Sequence, residues 1–353
     1  MIATPYTIKL HNWRKFDTCT ITIPRIPVCI VDQNGSGKTS VIAAIHALET
    51  GRPWPGLAFK QSLKFKSEYF GITLDDDLHL GGSVSASGRL VTKYTNEKEH
   101  RTPIMTYIPN DNLWLFLSRT QKLQILDTLL MQSIGNEYTS LLEDLNKTVK
   151  QKTALLKRFL EDGRDDRTLA IQYGNQIHTL SVRIWGFRDR YFRYLIDNIT
   201  DYYSWIDANH DFDLKVQRSV DTRRSYIEIA SGPKDSDQPG IWEQEKRRGR
   251  LLYGAQRDDF DFLIGFNSVT NILSRGEMRL LVLFMKYQAV LMNRRLDSAL
   301  WLLDDVFNEF DQKRESILFE SVLSKSGSFI ATSTKNPSPN VSIVTMKDII
   351  DNH

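Results

Sequence analysis

The sequence predicts an α/β fold in which a lobe of strands and helices is interrupted by a mainly helical insert. Three observations predict it. A short apolar run, Val28 to Val31, enters the glycine-containing turn "DQNGSGKTS" and leaves as the helix-patterned "TSVIAAIHAL". A second apolar run, "LWLL" at 300 to 303, ends in the adjacent acids Asp304 and Asp305. Between them, the stretch from about 119 to 206 has almost no proline, few glycines and apolar residues in helical register.

Composition bounds what such a chain can be. At roughly 100 to 200 residues per domain, 353 residues suggest two or three compact units. Hydrophobic residues at 41% and charged residues at 25% match an ordinary globular protein and exclude a disordered one. The opening "MIATPYTIKLHNWRKF" puts polar groups where a signal peptide needs an apolar stretch, and runs such as Leu280 to Met285 fall short of the roughly 18 residues of a membrane span. The expectation is a soluble, cytoplasmic protein with no membrane contact. Cys19 and Cys29 are too few for a disulfide framework and lack the paired spacing of a zinc site. A net charge of +3 permits nucleic-acid binding without arguing for it, so any basic surface must be local.

Taken in order, residues 6 to 10 and 20 to 23 alternate apolar and polar side chains and are expected to be strands. From about 60 to 108, β-branched and aromatic residues mix with turns at Gly81-Gly82 and Ser87-Gly88, which predicts a small antiparallel sheet. The helical insert is too short and too often broken for a long coiled-coil arm. Strand patterns return in "DFDLKVQRSV" and "SYIEIA", followed by the polar loop "SGPKDSDQPG". The expected divisions are 1–115 for the first part of the α/β lobe, 116–210 for the insert and 211–353 for the second part of the lobe.

Three motifs carry chemistry. Gly35, Gly37, Lys38 and Thr39 match the end of G-x-x-x-x-G-K-[ST], with Asp32 in the first glycine's place. The glycines admit backbone N–H groups to phosphate oxygens, Lys38 reaches the β- and γ-phosphates, and Thr39 ligates magnesium. A buried parallel strand emptying into Asp304 and Asp305 puts carboxylates at the sheet edge where such folds bind ligands, one for the metal and one to orient water. "LSRGEMR" from Leu273 starts a helix, where Ser274, Gly276 and free N–H groups face an anion. Each has an ordinary alternative: a glycine turn, an acidic turn, and a helix capped by Ser274 and Glu277. The trio in this order and spacing is jointly specific for an ABC-type P-loop ATPase.

With "IKLHNWRKF", "NGSGKT", "QKTALLK", "QYGNQI", "YGAQRDD", "LSRGEMR" and "LLDDVFNEFD" in hand, the chain resembles the RecF family of recombination mediators, ABC/SMC-like ATPases, nearly end to end. The resemblance implies an ABC-type P-loop ATPase lobe, split between both chain ends, with the helical lobe inserted. It implies ATP and Mg2+ as cofactors and an ATP-dependent homodimer. It further implies DNA, duplex or with single-strand gap junctions, and RecR-like mediator proteins as partners. By motif match, Arg14, Asn34, Gly35, Ser36, Gly37, Lys38, Thr39 and Ser40 bind nucleotide, and Ser274, Gly276 and Glu277 contact the partner's nucleotide. Thr39 and Asp304 hold metal, Asp305 and Lys38 are catalytic, and Asp311 ends the segment along the dimer seam.

The departures from the family pattern are Asp32, Ala43 in place of a glutamate, Ala255 and Gln256 in place of a proline and a histidine, and Thr332-Ser333 without a switch histidine. They point to slow, weak DNA-dependent ATP hydrolysis. An inward Asp32 would oppose the nucleotide's charge. Basic stretches at 147–158, 183–193 and 245–250 are candidate DNA contacts, against the plain reading of solvated helix faces. The alternative function is a divergent ABC-type module driving a defence or other effector.

Overall fold

The computed structural model describes residues 6–24, 26–74, 78–96, 103–206, 210–218, 240–293, 299–326, 328–337 and 341–351. The expected strand "SYIEIA" and the loop before Gly240 lie outside the described residues. The chain forms two compact units, one of residues 1–112 with 275–353 and one of residues 113–274.

The first part of the α/β unit comprises β1 (Tyr6–Trp13), β2 (Phe16–Ile23), β3 (Val28–Val31), α1 (Lys38–Thr50), β4 (Tyr69–Leu74), β5 (Leu78–Val84), β6 (Leu90–Asn96) and β7 (Ile104–Tyr107). β1 and β2 form a hairpin in which Trp13 pairs with Phe16 across the two-residue turn Arg14-Lys15. The strands β4 to β6 do not form a sheet of their own. β4 pairs with β1, Ile8 opposite Leu74, and so extends the hairpin. β7 leaves that sheet altogether, because its four residues are buried and suit a strand covered on both faces.

The inserted unit begins with a run of helices, α2 (Arg119–Ile134), α3 (Asn136–Asp162), α4 (Arg167–Asp197) and α5 (Ile199–Ile206). It continues with β8 (Phe212–Gln217), α6 (Ile241–Arg248), a 3₁₀ turn Ala255–Arg257, β9 (Asp259–Ile264) and β10 (Asn267–Ser268). α3 and α4, of 27 and 31 residues, are the longest helices among the described residues and pack on each other. The unit reaches Ser274, well beyond the expected boundary at 210. The physical reason is that β8, β9 and β10 pair into a small sheet within it. Three ion pairs on two buried cations hold its later segments: Lys152 Nζ to Glu245 at 2.7 Å joins α3 to α6, and Arg188 joins Asp127 and Asp258, each at 2.8 Å.

The chain returns to the α/β unit with α7 (Arg275–Met292), β11 (Leu300–Leu303), α8 (Gln312–Leu318), β12 (Phe329–Ser333), β13 (Ile343–Val344) and β14 (Ile350–Asp351). Two sheets result. One is antiparallel, in the order β14-β2-β1-β4-β5-β6; the other is parallel, in the order β13-β3-β12-β11-β7. Both chain ends contribute to both sheets. The parallel register sets Leu303 beside Tyr107 and Ala331, and Ser333 beside Val31, so the C-terminal ends of β3, β11 and β12 share one edge.

α1 lies between the two sheets, touching β1, β4 and β5 on one side and β7 and β12 on the other. A helix covered on all sides has to be apolar all round, and Val41 to Leu48 are accordingly buried. Ala43, in the expected glutamate's position, is completely enclosed in this core. His46 is the polar exception. Its ring packs edge-on against Trp54, centroids 5.5 Å apart, and burial pulls its pKa down to about 4.

Two measurements test this packing. Because His46 is held neutral when folded and has an ordinary pKa near 6.5 when unfolded, its contribution is complete above pH 6.5 and lost as pH falls towards 4. Denaturant titrations should show up to about 3 kcal/mol of acid destabilisation over that window, and His46→Phe should flatten it. Lys152→Met leaves Glu245 buried without its cation and should cost about 3–5 kcal/mol, with Lys152→Met/Glu245→Leu recovering most of the loss.

Candidate functional site

The shared edge of β3, β11 and β12 collects the predicted residues of the α/β unit. From β3 the chain passes through the loop 32–37, with Gly35 at φ +79° and Gly37 at φ +109°, backbone that side chains resist. Gly37 is doubly constrained, since an added Cβ would sit 2.8 Å from the Phe16 ring and 2.9 Å from Lys15 Cδ. Lys38 is 5% exposed, and its ammonium donates to the carbonyls of Asp32 (2.7 Å) and Gln33 (3.0 Å), folded across the loop. Trp13 Nε1 donates to the Ser40 carbonyl (2.9 Å), fixing the first turn of α1 to the hairpin. Asn34 is exposed at the loop tip.

The hairpin turn brings two cations to this loop. Arg14 has φ +51°, an uncommon conformation for a residue with a side chain and one that costs roughly 1–2 kcal/mol. Its guanidinium lies in the field of Asp304. Burial lowers its pKa and the Asp304 charge opposes that effect. Arg14 Nη1 and Ser36 Oγ are buried without hydrogen-bond partners among the described residues, and both would be satisfied by an anion's oxygens. Lys15, beside Arg14 in "WRKF", was not singled out from the sequence. Its Nζ donates to the Gly35 carbonyl (2.7 Å) and stands over the Phe16 ring.

The acids sit opposite. Asp304 Oδ1 accepts from Thr39 Oγ1 and from Thr332 Oγ1, both at 2.8 Å. Burial raises its pKa; the two hydroxyl donors lower it, the Asp305 charge raises it and Arg14 lowers it again. Thr332 in turn accepts from the Asp305 backbone N–H (2.9 Å), so this threonine spans both acids. Asp305 has φ +48°, and its Oδ1 accepts from Asn308 Nδ2 (3.0 Å). Asn308 Oδ1 accepts from Ser333 Oγ and from the Thr334 N–H and hydroxyl, tying the segment after β11 to the end of β12. Thr332 and Asn308 were legible only as a missing histidine and a loop residue. Their roles depend on strand order.

Asp32 turns away from the loop interior. Oδ1 accepts from the Gln33 N–H (2.7 Å) and Oδ2 from the Met346 N–H (3.2 Å), at the start of the short helix Met346–Ile349. Its φ is not positive, so this corner makes no demand for glycine. Cys29, beneath the loop on β3, is pushed up to about 12, by burial first, and is no nucleophile.

Gly276 and Glu277 lie in the first turn of α7, while Ser274 closes the preceding unit. The Arg314 guanidinium lies against Gly276, 3.0 Å from where a Cβ would be, and is held by Asp311, the N-cap of α8. Gln256 folds back on its own turn, donating to the Tyr253 carbonyl (2.7 Å). The candidate basic stretches are thinned by the structure. Lys152 and Arg188 are buried in ion pairs, Lys246 is paired with Asp165 and Glu243, and Trp185, Tyr191 and Phe192 are core. Exposed cations remain in all three stretches: Lys147, Lys150, Lys157 and Arg158 in the first, Arg183, Arg190 and Arg193 in the second, and Arg247, Arg248 and Arg250 in the third.

Two features define the class: a P-loop entering a helix between two sheets, and an acid pair one strand away at the same edge. This is an ABC-type P-loop ATPase lobe with a mainly helical inserted unit. The chain belongs to the AAA domain family, whose model matches residues 7–246. Curated proteins named RecF and solved RecF structures are similar to it nearly end to end. The "DNA replication and repair protein RecF" of Chlorobaculum parvum is 25% identical over 97% of both chains. That of Staphylococcus carnosus is 23% identical over 93% of this chain and 92% of its own. A solved structure described as the recombination mediator protein RecF-ATPrS in the RecFOR pathway has a TM-score of 0.78 at 19% identity, covering 99% of this chain and 97% of that one. A second, described as RecF-ATP, has a TM-score of 0.77 at 19% identity, over 98% of this chain and 96% of that one. No helix among the described residues is long and apolar enough to cross a membrane.

Asp32→Gly restores the consensus glycine but removes two hydrogen bonds that anchor the loop. It should lower stability by about 1–2 kcal/mol in denaturant titrations, rather than repair the loop.

Proposed function

We propose that this chain is an ATP-binding DNA-repair clamp of the RecF type. The observation that carries the reading is the convergence, at one sheet edge, of Lys38, the unsatisfied Arg14 Nη1 and Ser36 Oγ, and the Thr39–Asp304 pair. This is an anion cradle facing an acid pair, which suits a metal-bound triphosphate. The RecF names of the curated relatives and the ATP in the description of a similar solved structure support it.

Backbone N–H groups of Gly35 to Ser40 would bind the phosphates, with Asn34 and the Ser36 hydroxyl at the loop's mouth. Lys38 would exchange its two carbonyl acceptors for phosphate oxygens, and Arg14 would supply the second cation. The Thr39 hydroxyl and the Asp304 carboxylate are hard oxygen donors 2.8 Å apart, a fit for Mg2+, which takes few protein ligands and completes its shell with phosphate and water. Magnesium, when bound, would neutralise phosphate charge. Asp305, fixed through its backbone by Thr332 and through its carboxylate by Asn308, would orient the attacking water.

Ser274, Gly276 and Glu277 would meet the nucleotide of a second copy, so that ATP closes a homodimer around DNA. Slow hydrolysis would then reopen it. RecR-like mediators and recombinase loading belong to the same reading, by way of the relatives.

Lys38→Ala is the test. It should abolish ATP-dependent dimerisation, read by light scattering, and ATP-dependent retention on gapped duplex, read by anisotropy. Undiminished retention in that variant would overturn the clamp.

A further inference from the structure

We propose that Arg119, Arg250 and Arg257 of the inserted unit form a binding site for nucleic-acid backbone phosphate. The inference rests on the reading that this chain binds DNA, and gives that contact a location.

The three arginines come from separate segments that the fold fastens together. Arg119 is the first residue of α2, Arg257 the last of the 3₁₀ turn, and Arg250 the residue after Gly249, the C-cap of α6. α2 is fastened to the segment after the turn by Lys122, whose Nζ donates to the Phe260 carbonyl (2.6 Å) and pairs with Asp259 (3.4 Å). Arg188 clamps Asp127 of α2 to the Ala255 carbonyl and to Asp258, on either side of Arg257. α6 is fastened to its own continuation, where the Leu252 N–H donates to Glu245 Oε1 (2.9 Å). The cations are therefore held near one another by buried groups that are already satisfied.

That proximity is unfavourable as it stands. Burial lowers the pKa of Arg257, and the neighbouring charges of Arg119 and Arg250 lower it further; Glu245 alone opposes them. Glu245 is fully buried and committed to Lys152 and the Leu252 N–H. None of the three arginines has an ion-pair partner among the described residues. Arg119 stands in the first turn of a helix, where the macrodipole disfavours a cation. An anion arriving here would relieve all of these costs together, and guanidinium groups match phosphate with paired N–H donors. Exposed Arg247 and Arg248, on the last turn of α6, extend the surface. Five guanidinium groups in a tract suit successive backbone phosphates better than one small anion.

The test compares the wild type with R119Q/R250Q/R257Q, as full chains, by duplex anisotropy across a salt series with ATP and Mg2+. For B-DNA each phosphate contact contributes about 0.9 to the slope of log K against log salt. The triple variant should lose about 2 to 3 from that slope while retaining ATP binding. An unchanged slope would overturn the site. Thermal midpoints without phosphate should be equal or higher in the variant, since repulsion is removed; a large drop would make the arginines structural and overturn the proposal. A wild type that binds no duplex would refute the DNA reading itself. If inorganic phosphate then raised the wild-type midpoint but not the variant's, the site would be one for small anions and the nucleic-acid assignment would fail.

Discussion

The hydrogen bond from Thr39 to Asp304 joins residues 265 positions apart, and the site depends on it. A carboxylate taken out of water is costly unless it finds donors. Asp304 finds two, from α1 and from β12, and each comes from a different segment of the chain. The two bonds together fix three things: the start of α1 relative to the acid strand, the place of β12 beside β11, and the position of Asp305, whose N–H donates to the β12 threonine, Thr332. A buried cation beside Asp304 would occupy the ground where the proposed metal would sit. Hydroxyl donors leave the carboxylate charged and approachable.

The rest of the cradle is built by transferring rigidity from the core. α1 is squeezed between two sheets and has no freedom to tilt; Trp13 ties its first turn to the hairpin, and the same hairpin presents Arg14 and Lys15. The conformational strain at Arg14 is tolerable because its flanks, Trp13 and Phe16, are paired and buried. Two orphaned polar atoms, Arg14 Nη1 and Ser36 Oγ, remain at the mouth, where a ligand would meet them.

Much of this was legible in the sequence because it is local. The phosphate loop, the acid-ended strand, the helical stretch and the order of elements are written in short windows. What was not legible is non-local. β7 reads like its antiparallel neighbours, yet pairs with β11 from the far end of the chain. Residues 211–274 look like a return to the first lobe, but three strands there pair among themselves, and buried Lys152 and Arg188 bind their surroundings to the helices. Asp32 looked like a damaged glycine position because the pattern carries no information about side-chain direction. Its partner, Met346, is 314 residues away.

The division of the α/β unit between the chain ends also governs the order in which the protein can be made. When residue 112 leaves the ribosome, β3 and β7 exist but are not neighbours; β12 and β11 must come between them, and β11 begins at Leu300. The inserted unit is a continuous segment and can fold before the second half of the α/β unit exists. Until Ser333 has been synthesised, the growing chain carries β3 and β7 as apolar strands without their parallel partners. In that interval the buried strands of the parallel sheet have no cover, the condition in which chains of this size expose apolar surface.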